Sequence, residues 1–155
     1  MTPAINLAKK NKIPYKIHEY SHDPSVESYG IEASEKLGVE ENRVFKTLVV
    51  TLQDKTLAVG IIPVSAKLNL KEMAKACSSK KSAMAPKDDV ERSTGYILGG
   101  VSPLGQKKLL QTIIDSSAKN FETIYVSAGK RGLDIELNPL DLQKLIKANF
   151  QKIKQ

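Results

Sequence analysis

The chain has 155 residues, the length of one ordinary domain, and we expect a single domain over residues 1–155. With 41% apolar and 26% charged residues, the composition excludes a disordered chain. The 24 basic and 17 acidic residues give a net charge of +7, which favours an anionic partner such as nucleic acid. One cysteine excludes a disulfide framework and a Cys-based zinc cluster, and two histidines argue against a His-rich metal site. We therefore predict no metal and no cofactor.

Membrane and export signals are not visible in the sequence. No apolar run approaches the ~20 residues that a membrane-spanning helix needs. The first residues lack the apolar stretch and small-residue cleavage site of a signal peptide. The sequence therefore predicts no membrane partner and a cytoplasmic location.

Helices and strands follow from local cues. A helix begins at Thr2, a good N-cap, with Pro3 at the first helical position, and it ends near Asn11. The next elements are a strand over 15–20, a helix over about 27–37, and a strand over 44–52 paired with one over 56–63. Asn69 caps a helix in capping-box spacing, and a further helix covers 86–95. Strands over 111–114, 123–126 and 133–137 follow, and Asn138 and Pro139 open the last helix.

The order of these elements predicts the fold class. Hairpins such as 44–63 indicate antiparallel pairing, and the helices do not alternate strictly with the strands. We therefore predict an α+β domain with a mixed, curved central sheet and helices packed around it.

Lys46 is the first candidate functional residue. It interrupts the most apolar strand, on the same face as Val44 and Leu48, where burial of an ammonium is costly unless an anion or several acceptors meet it. One interpretation is a lysine that extends its aliphatic stem to reach water. The other is a lysine that points into a cleft and binds a phosphate or an ester carbonyl.

A glycine-rich segment over 99–105 is the second candidate. Two adjacent glycines permit close backbone approach to a ligand, and consecutive N–H groups can form an oxyanion hole. Gln106 stands where a phosphate-binding P-loop requires lysine, so we exclude a nucleotide triphosphatase. The alternative is a plain surface turn.

The third candidate is the segment over 127–132, which we expect to be a hairpin loop with Lys130 and Arg131 at its tip. Phosphate contact and a solvated turn are the two interpretations. Asp134 lies on the polar face of the next strand, and a solvated acid is the default interpretation. It can instead orient Lys46 or a substrate amine.

Four blocks of the sequence resemble one known family. They are HEYSHDP at 18–24, VFKTL at 44–48, STGYILGGVSPLGQKK at 93–108 and IYVSAGKRGLDIE at 124–136. Over nearly the whole chain, the sequence resembles the YbaK/EbsC family of free-standing aminoacyl-tRNA deacylases, which is related to the editing domain of bacterial prolyl-tRNA synthetases. Val101 and Ala128 depart from the residues common in that family, and Ala128 puts the fine specificity of the pocket in doubt.

The resemblance implies a barrel-like mixed sheet and a set of site residues. Lys46 matches the catalytic lysine of the family. The resemblance implies substrate binding by Tyr20, Ser127, Asp134 and the loop Gly99, Gly100, Val101, Ser102 and Pro103. We also expect Phe45, Thr47 and Gly129 to bind the substrate, and Lys130 and Arg131 at the hairpin tip to contact tRNA.

The resemblance also implies the reaction, which is removal of cysteine from Cys-tRNA(Pro), with Cys-tRNA(Cys) as a further substrate. The thiol of the substrate would attack its own ester, so no protein nucleophile is needed. The implied partners are the aminoacylated end of tRNA and, transiently, prolyl-tRNA synthetase. The alternatives are a non-catalytic module that binds the tRNA acceptor stem and a deacylase for Ala-tRNA(Pro).

Overall fold

The computed structural model, which describes residues 1–26 and 28–155, contains five α-helices. They are α1 (Pro3–Lys10), α2 (Tyr29–Leu37), α3 (Leu70–Ala76), α4 (Lys87–Thr94) and α5 (Pro139–Ile146). The side chains of Thr2, Asn69 and Asn138 accept hydrogen bonds from the first-turn N–H groups of α1, α3 and α5. The predicted caps are therefore confirmed, because capping depends on residues only two or three positions apart.

The first sheet has three antiparallel strands in the order β1 (Tyr15–Glu19), β7 (Leu133–Leu137), β6 (Ile124–Lys130). Its strands alternate between two faces, so Ile17, Val126 and Ile135 pack into the main core. The other face carries Ser127 opposite Asp134. This polar face becomes one wall of the site described below.

The second sheet has five strands in the order β4 (Ser82–Met84), β2 (Phe45–Leu52), β3 (Leu57–Pro63), β5 (Gln111–Asp115), β8 (Asn149–Gln151). The β2–β3 hairpin is antiparallel, as predicted, whereas β5 runs parallel to both β3 and β8. Both faces of β3 are covered, and Val59, Ile61 and Ile62 are fully buried. The α+β class and the mixed pairing are thus confirmed.

The two sheets meet at the start of β2. Val44 forms a bridge with Tyr125 of β6, and its carbonyl accepts a hydrogen bond from the N–H of Val64. Among the described residues the strands form two sheets, and the barrel-like arrangement is not closed. Val44 therefore couples the strand that carries Lys46 to the hairpin that carries Asp134.

Several element limits differ from the sequence prediction. Strand β6 extends to Lys130, so residues 127–130 are strand and the turn is only Arg131–Gly132. Strands β4 and β8, of three residues each, were not predicted, because such short segments form only when a neighbouring strand pairs with them. The predicted start of the second helix at Glu27 lies outside the described residues.

Candidate active site

A pocket of about 310 Å³ lies where β2, the β6–β7 hairpin, the start of α2 and the segment 98–101 meet. Most of the residues that the sequence singled out converge on it, although they come from distant parts of the chain. The predicted residues that line the pocket are Tyr20, Phe45, Lys46, Thr47, Gly99, Val101, Ser127, Lys130, Arg131 and Asp134.

Lys46 is half-buried in the wall of this pocket. Burial lowers the pKa of its ammonium group, and the charge of Lys67 lowers it further. No carboxylate in the described part of the chain lies within ion-pair distance of Lys46. A half-buried cation without an internal counter-ion is suited to an anion or a carbonyl oxygen that a ligand brings.

Asp134 is buried at 6% exposure, so the default interpretation of a solvated acid is wrong. The alternation of its strand suggested an exposed face, but Asp134 instead faces a pocket that residues of β2 and α2 also line. Burial raises the pKa of Asp134 to about 7. A ligand that carries a positive charge would favour the ionised carboxylate.

Tyr20 lies beside Asp134 at the end of β1. Burial raises the pKa of the Tyr20 phenol to about 12, and the nearby Asp134 contributes to that shift. The phenol therefore stays protonated near neutral pH, and its hydroxyl group can donate a hydrogen bond into the pocket.

Arg131 has partners within the protein. Its guanidinium group lies 3.4 Å from the buried carboxylate of Glu32 and 4.2 Å from the centre of the Tyr29 ring, and it also donates to the carbonyl oxygen of Asp23. The structure thus places Arg131 as a brace between the β6–β7 turn and α2, while the neighbouring Lys130 is exposed. A direct tRNA contact by either residue stays a prediction.

Two polar atoms in the pocket are buried and lack hydrogen-bond partners among the described residues. They are Oγ1 of Thr47 and Nε of Arg131. Buried polar atoms are nearly always paired in native proteins. These two atoms are therefore exceptions among the buried polar atoms of the described residues.

The glycine segment divides into a lining part and a packing part. Gly99 has φ of +95°, and it lies against the ring of Tyr29 at the pocket wall. Gly100 does not line the pocket, and its N–H donates to Ile97. An added Cβ at Gly100 would lie 2.7 Å from the Cα of Lys130. Gly100 thus lets the segment pack tightly against the β6–β7 hairpin.

Four predicted residues lie away from the pocket wall, and their assignment to substrate binding stays a prediction. Besides Gly100 they are Ser102, Pro103 and Gly129. Ser102 is fully buried, and its hydroxyl oxygen accepts from the N–H of Leu104. Gly129, at φ of +112°, packs against Thr2 and Tyr96. Ala128 packs into the main core and not into the pocket wall.

Several wall residues were not singled out from the sequence. Tyr29 and Gly30 enter from the first turn of α2, and Val44, Leu48 and Leu98 supply apolar contacts. The signal that could have identified Tyr29 is an aromatic residue at the start of a helix between two blocks of the family resemblance.

Across residues 1–26 and 28–155, no group of three metal-ligating side chains comes together.

The arrangement can bind a small, charged ester. The pocket wall carries the ammonium group of Lys46 and the carboxyl group of Asp134, together with apolar side chains. Such a pair suits a ligand that carries an anionic or polar group at one end and an amine at the other.

The class of protein follows from a comparison with known families. The model of the aminoacyl-tRNA editing domain matches residues 23–145, so the chain belongs to the aminoacyl-tRNA editing family. This confirms the family predicted from the sequence, and with it an aminoacyl-tRNA deacylase that binds aminoacylated tRNA.

The chain is 40% identical over 155 residues to EbsC of Enterococcus faecalis, which is named as a candidate Cys-tRNA(Pro)/Cys-tRNA(Cys) deacylase, with 98% of this chain and 92% of the relative aligned. It is 28% identical to the uncharacterised protein YwhH of Bacillus subtilis, over 79% of this chain and 75% of that one.

Solved structures share the fold. A candidate trans-editing enzyme for prolyl-tRNA synthetase superimposes with a TM-score of 0.82 at 19% identity, covering 100% of this chain and 99% of that one. A protein described as hypothetical superimposes with a TM-score of 0.88 at 21% identity, with 99% of each chain covered.

Among the described residues, no helix has the length and apolar character needed to cross a membrane.

Proposed function

We propose that this protein removes cysteine from Cys-tRNA(Pro), and also from Cys-tRNA(Cys), acting in trans. The observation that carries the proposal is the 40% identity over 98% of the chain to the relative named for these two substrates. The pocket is consistent with a small acyl group, because its volume of about 310 Å³ is at the lower end for ligand sites.

Lys46 takes the tRNA end of the substrate in this proposal. Lys46 binds the terminal phosphate or the ribose, since its half-buried ammonium group faces the pocket without an internal counter-ion.

Asp134 takes the amine end. Its carboxyl group is buried in the pocket, and a substrate ammonium would restore the ionised form that burial disfavours. Tyr20 lies beside it and donates to the bound aminoacyl group. The remaining predicted wall residues, Phe45, Val101 and Ser127, shape the space around the acyl side chain.

The substrate supplies the nucleophile. Its thiol sulfur attacks the ester carbonyl carbon, a carbon–sulfur bond forms, and the carbon–oxygen ester bond breaks. The thiol proton passes to the ribose oxygen, which leaves with the tRNA as a hydroxyl group, and the cysteine departs as a cyclic thioester. Selectivity then comes from the chemistry of the substrate, because alanine and proline have no thiol.

The same proposal includes a single domain over 1–155, action in the cytoplasm and transient contact with prolyl-tRNA synthetase. The net charge of +7 supports contact with tRNA. It carries no information about contact with the synthetase.

The test follows ester loss from Cys-tRNA(Pro), with Ser-tRNA(Pro) as the matched substrate whose hydroxyl replaces the thiol. We expect fast loss of cysteine, at least tenfold slower loss of serine, and at least tenfold slower loss of cysteine with Lys46→Ala. Lys87→Ala, an exposed lysine on α4, serves as the control. Equal rates for cysteine and serine would overturn the thiol mechanism. Binding of tRNA without ester loss would favour a non-catalytic module, and faster loss of alanine would favour Ala-tRNA(Pro).

A further inference from the structure

The net positive charge of the chain is concentrated in two short segments. Residues 65–81 and 149–155 contain seven lysines and one glutamate. They therefore hold six of the seven net positive charges in less than a sixth of the length. Charge concentrated in this way produces a local field that a uniform distribution would not.

The two segments lie side by side in the fold. Leu68 forms an antiparallel bridge with Lys154. The N–H of Asn69 donates to the carbonyl oxygen of Ile153 at 2.7 Å, and the N–H of Gln155 donates to the carbonyl oxygen of Lys67 at 2.8 Å. Backbone hydrogen bonds thus join the lysines of the two segments into one surface.

The lysines of this surface point outward together. Lys71 and Lys75 are exposed and lie one turn apart on α3. Lys152 and Lys154 flank Ile153, which is fully buried, so both extend away from the core. Lys75 and Lys152 line the same shallow depression. We call Lys67, Lys71, Lys75, Lys152 and Lys154 the basic face.

The basic face lacks internal compensation. Its one acidic residue is Glu72, which lines the same depression as Lys75. Within the described ranges 1–26 and 28–155, none of the five lysines lies within 4 Å of a carboxylate oxygen. On a solvated protein surface, positively and negatively charged side chains are normally mixed. An uncompensated row of lysines instead suits a polyanion such as a nucleic-acid backbone.

The basic face begins at the pocket. Lys67 follows the end of β3, where Ile62 pairs with Lys46 of the pocket wall, and the charge of Lys67 acts on the ammonium group of Lys46. The face then continues through the bridge between Leu68 and Lys154 to α3. A polyanion on this face therefore has one end at the pocket.

We propose that the basic face binds the phosphate backbone of the tRNA acceptor stem while the aminoacyl end occupies the pocket. This inference rests on the proposed function, because it places a tRNA ester in the pocket. Lysine recognises phosphate as a point charge and reads no base sequence. The face therefore holds different tRNAs with similar affinity.

The first measurement compares tRNA binding by two variants that each lose four charges. Lys71, Lys75, Lys152 and Lys154 are changed to glutamine together in one variant. The control variant changes Lys9, Lys10, Lys87 and Lys144 to glutamine. These four lysines are exposed on other parts of the surface. Fluorescence anisotropy with uncharged tRNA is recorded over a series of salt concentrations. We expect at least tenfold weaker binding at about 0.1 M salt and a log–log salt slope smaller by about 3, since each phosphate contact contributes about 0.7–0.9.

The second measurement separates the basic face from the pocket. With Cys-tRNA(Pro), the variant with glutamine at the four basic-face positions is expected to show a KM at least tenfold higher than that of the wild type and a kcat within twofold of it. With the cysteinyl ester of a short oligonucleotide that ends at the acceptor terminus, the rate stays within twofold. Arginine at the same four positions keeps the charge and is expected to restore tRNA binding.

The outcomes distinguish the two proposals. If the wild type cleaves the ester and both four-glutamine variants bind tRNA equally, the basic-face proposal is wrong and the proposed function stands. If the wild type binds tRNA through the basic face but cleaves no ester, the proposed function is wrong. Loss of binding to phosphatidylglycerol vesicles, without loss of binding to tRNA, would assign the face to an anionic membrane and overturn the inference.

Discussion

Asp134→Asn is expected to stabilise the folded protein above neutral pH, although it removes a side chain that we place in the substrate site. Asp134 is buried, and burial raises the pKa of its carboxyl group from 3.8 to about 7. Between these two values the folded chain holds a proton that the unfolded chain has lost. Stability therefore falls as the pH rises through this window.

The magnitude follows from the width of the window. Each pKa unit corresponds to 1.36 kcal/mol of free energy, so a window of about three units lowers the free energy of unfolding by roughly 4 kcal/mol between pH 4 and pH 8. Asparagine has the shape of the protonated acid and does not ionise. The free energy of unfolding of the variant should therefore not fall over this pH range. The difference in stability between the variant and the wild type should grow as the pH rises.

Urea unfolding at pH 4, 5, 6, 7 and 8 measures the difference between the two proteins. Asp88→Asn, at an exposed position on α4, is the control, and it should follow the wild type at every pH. If the free energies of unfolding of the wild type and Asp134→Asn differ by the same amount at every pH, the reasoning is wrong. Deacylase activity of the Asn variant should fall, since the ionised carboxylate is lost at the amine end of the pocket.

Three further predictions concern the supports of the site. Gly100→Ala brings a Cβ to 2.7 Å from the Cα of Lys130, and we expect about 1–3 kcal/mol of destabilisation and slower ester loss, measured by thermal unfolding and deacylation. Arg131→Gln removes the cation from beside the buried carboxylate of Glu32, so urea unfolding should show a loss of about 3 kcal/mol. Burial acts to raise the pKa of Asp115, but hydrogen bonds from Ser117, Ile153 and Lys154 lower it overall. Asp115→Asn should therefore cost about 2–4 kcal/mol at pH 7, and calorimetry should show that cost shrinking as the pH falls below about 4.

The features that the sequence predicted well depend on neighbouring residues. Thr2 and Asn138 cap their helices as expected, because a cap and its N–H partner are two or three residues apart. The long strand around Lys46 and its hairpin partner were also recognised, since continuous β-branched residues mark a strand buried on both faces.

The features that were missed depend on residues far apart in the sequence. The alternation around Asp134 indicated an exposed acid, but its side chain is buried at a pocket that β2 and α2 also line. Arg131 was expected at a free loop tip, but Glu32, 99 residues away, pairs with it. Strand β8 forms because β5 offers a parallel edge, which no local pattern in 149–151 reveals.

The bridge between Val44 and Tyr125 has a consequence for how this site can diverge. This backbone bridge joins the strand carrying Lys46 to the hairpin carrying Asp134. Side chains on the pocket wall can therefore change without moving the two charged groups relative to each other. A relative can exchange Leu48 or Val101 and accept another acyl group on the same frame, so substrate preference can evolve independently of catalytic geometry.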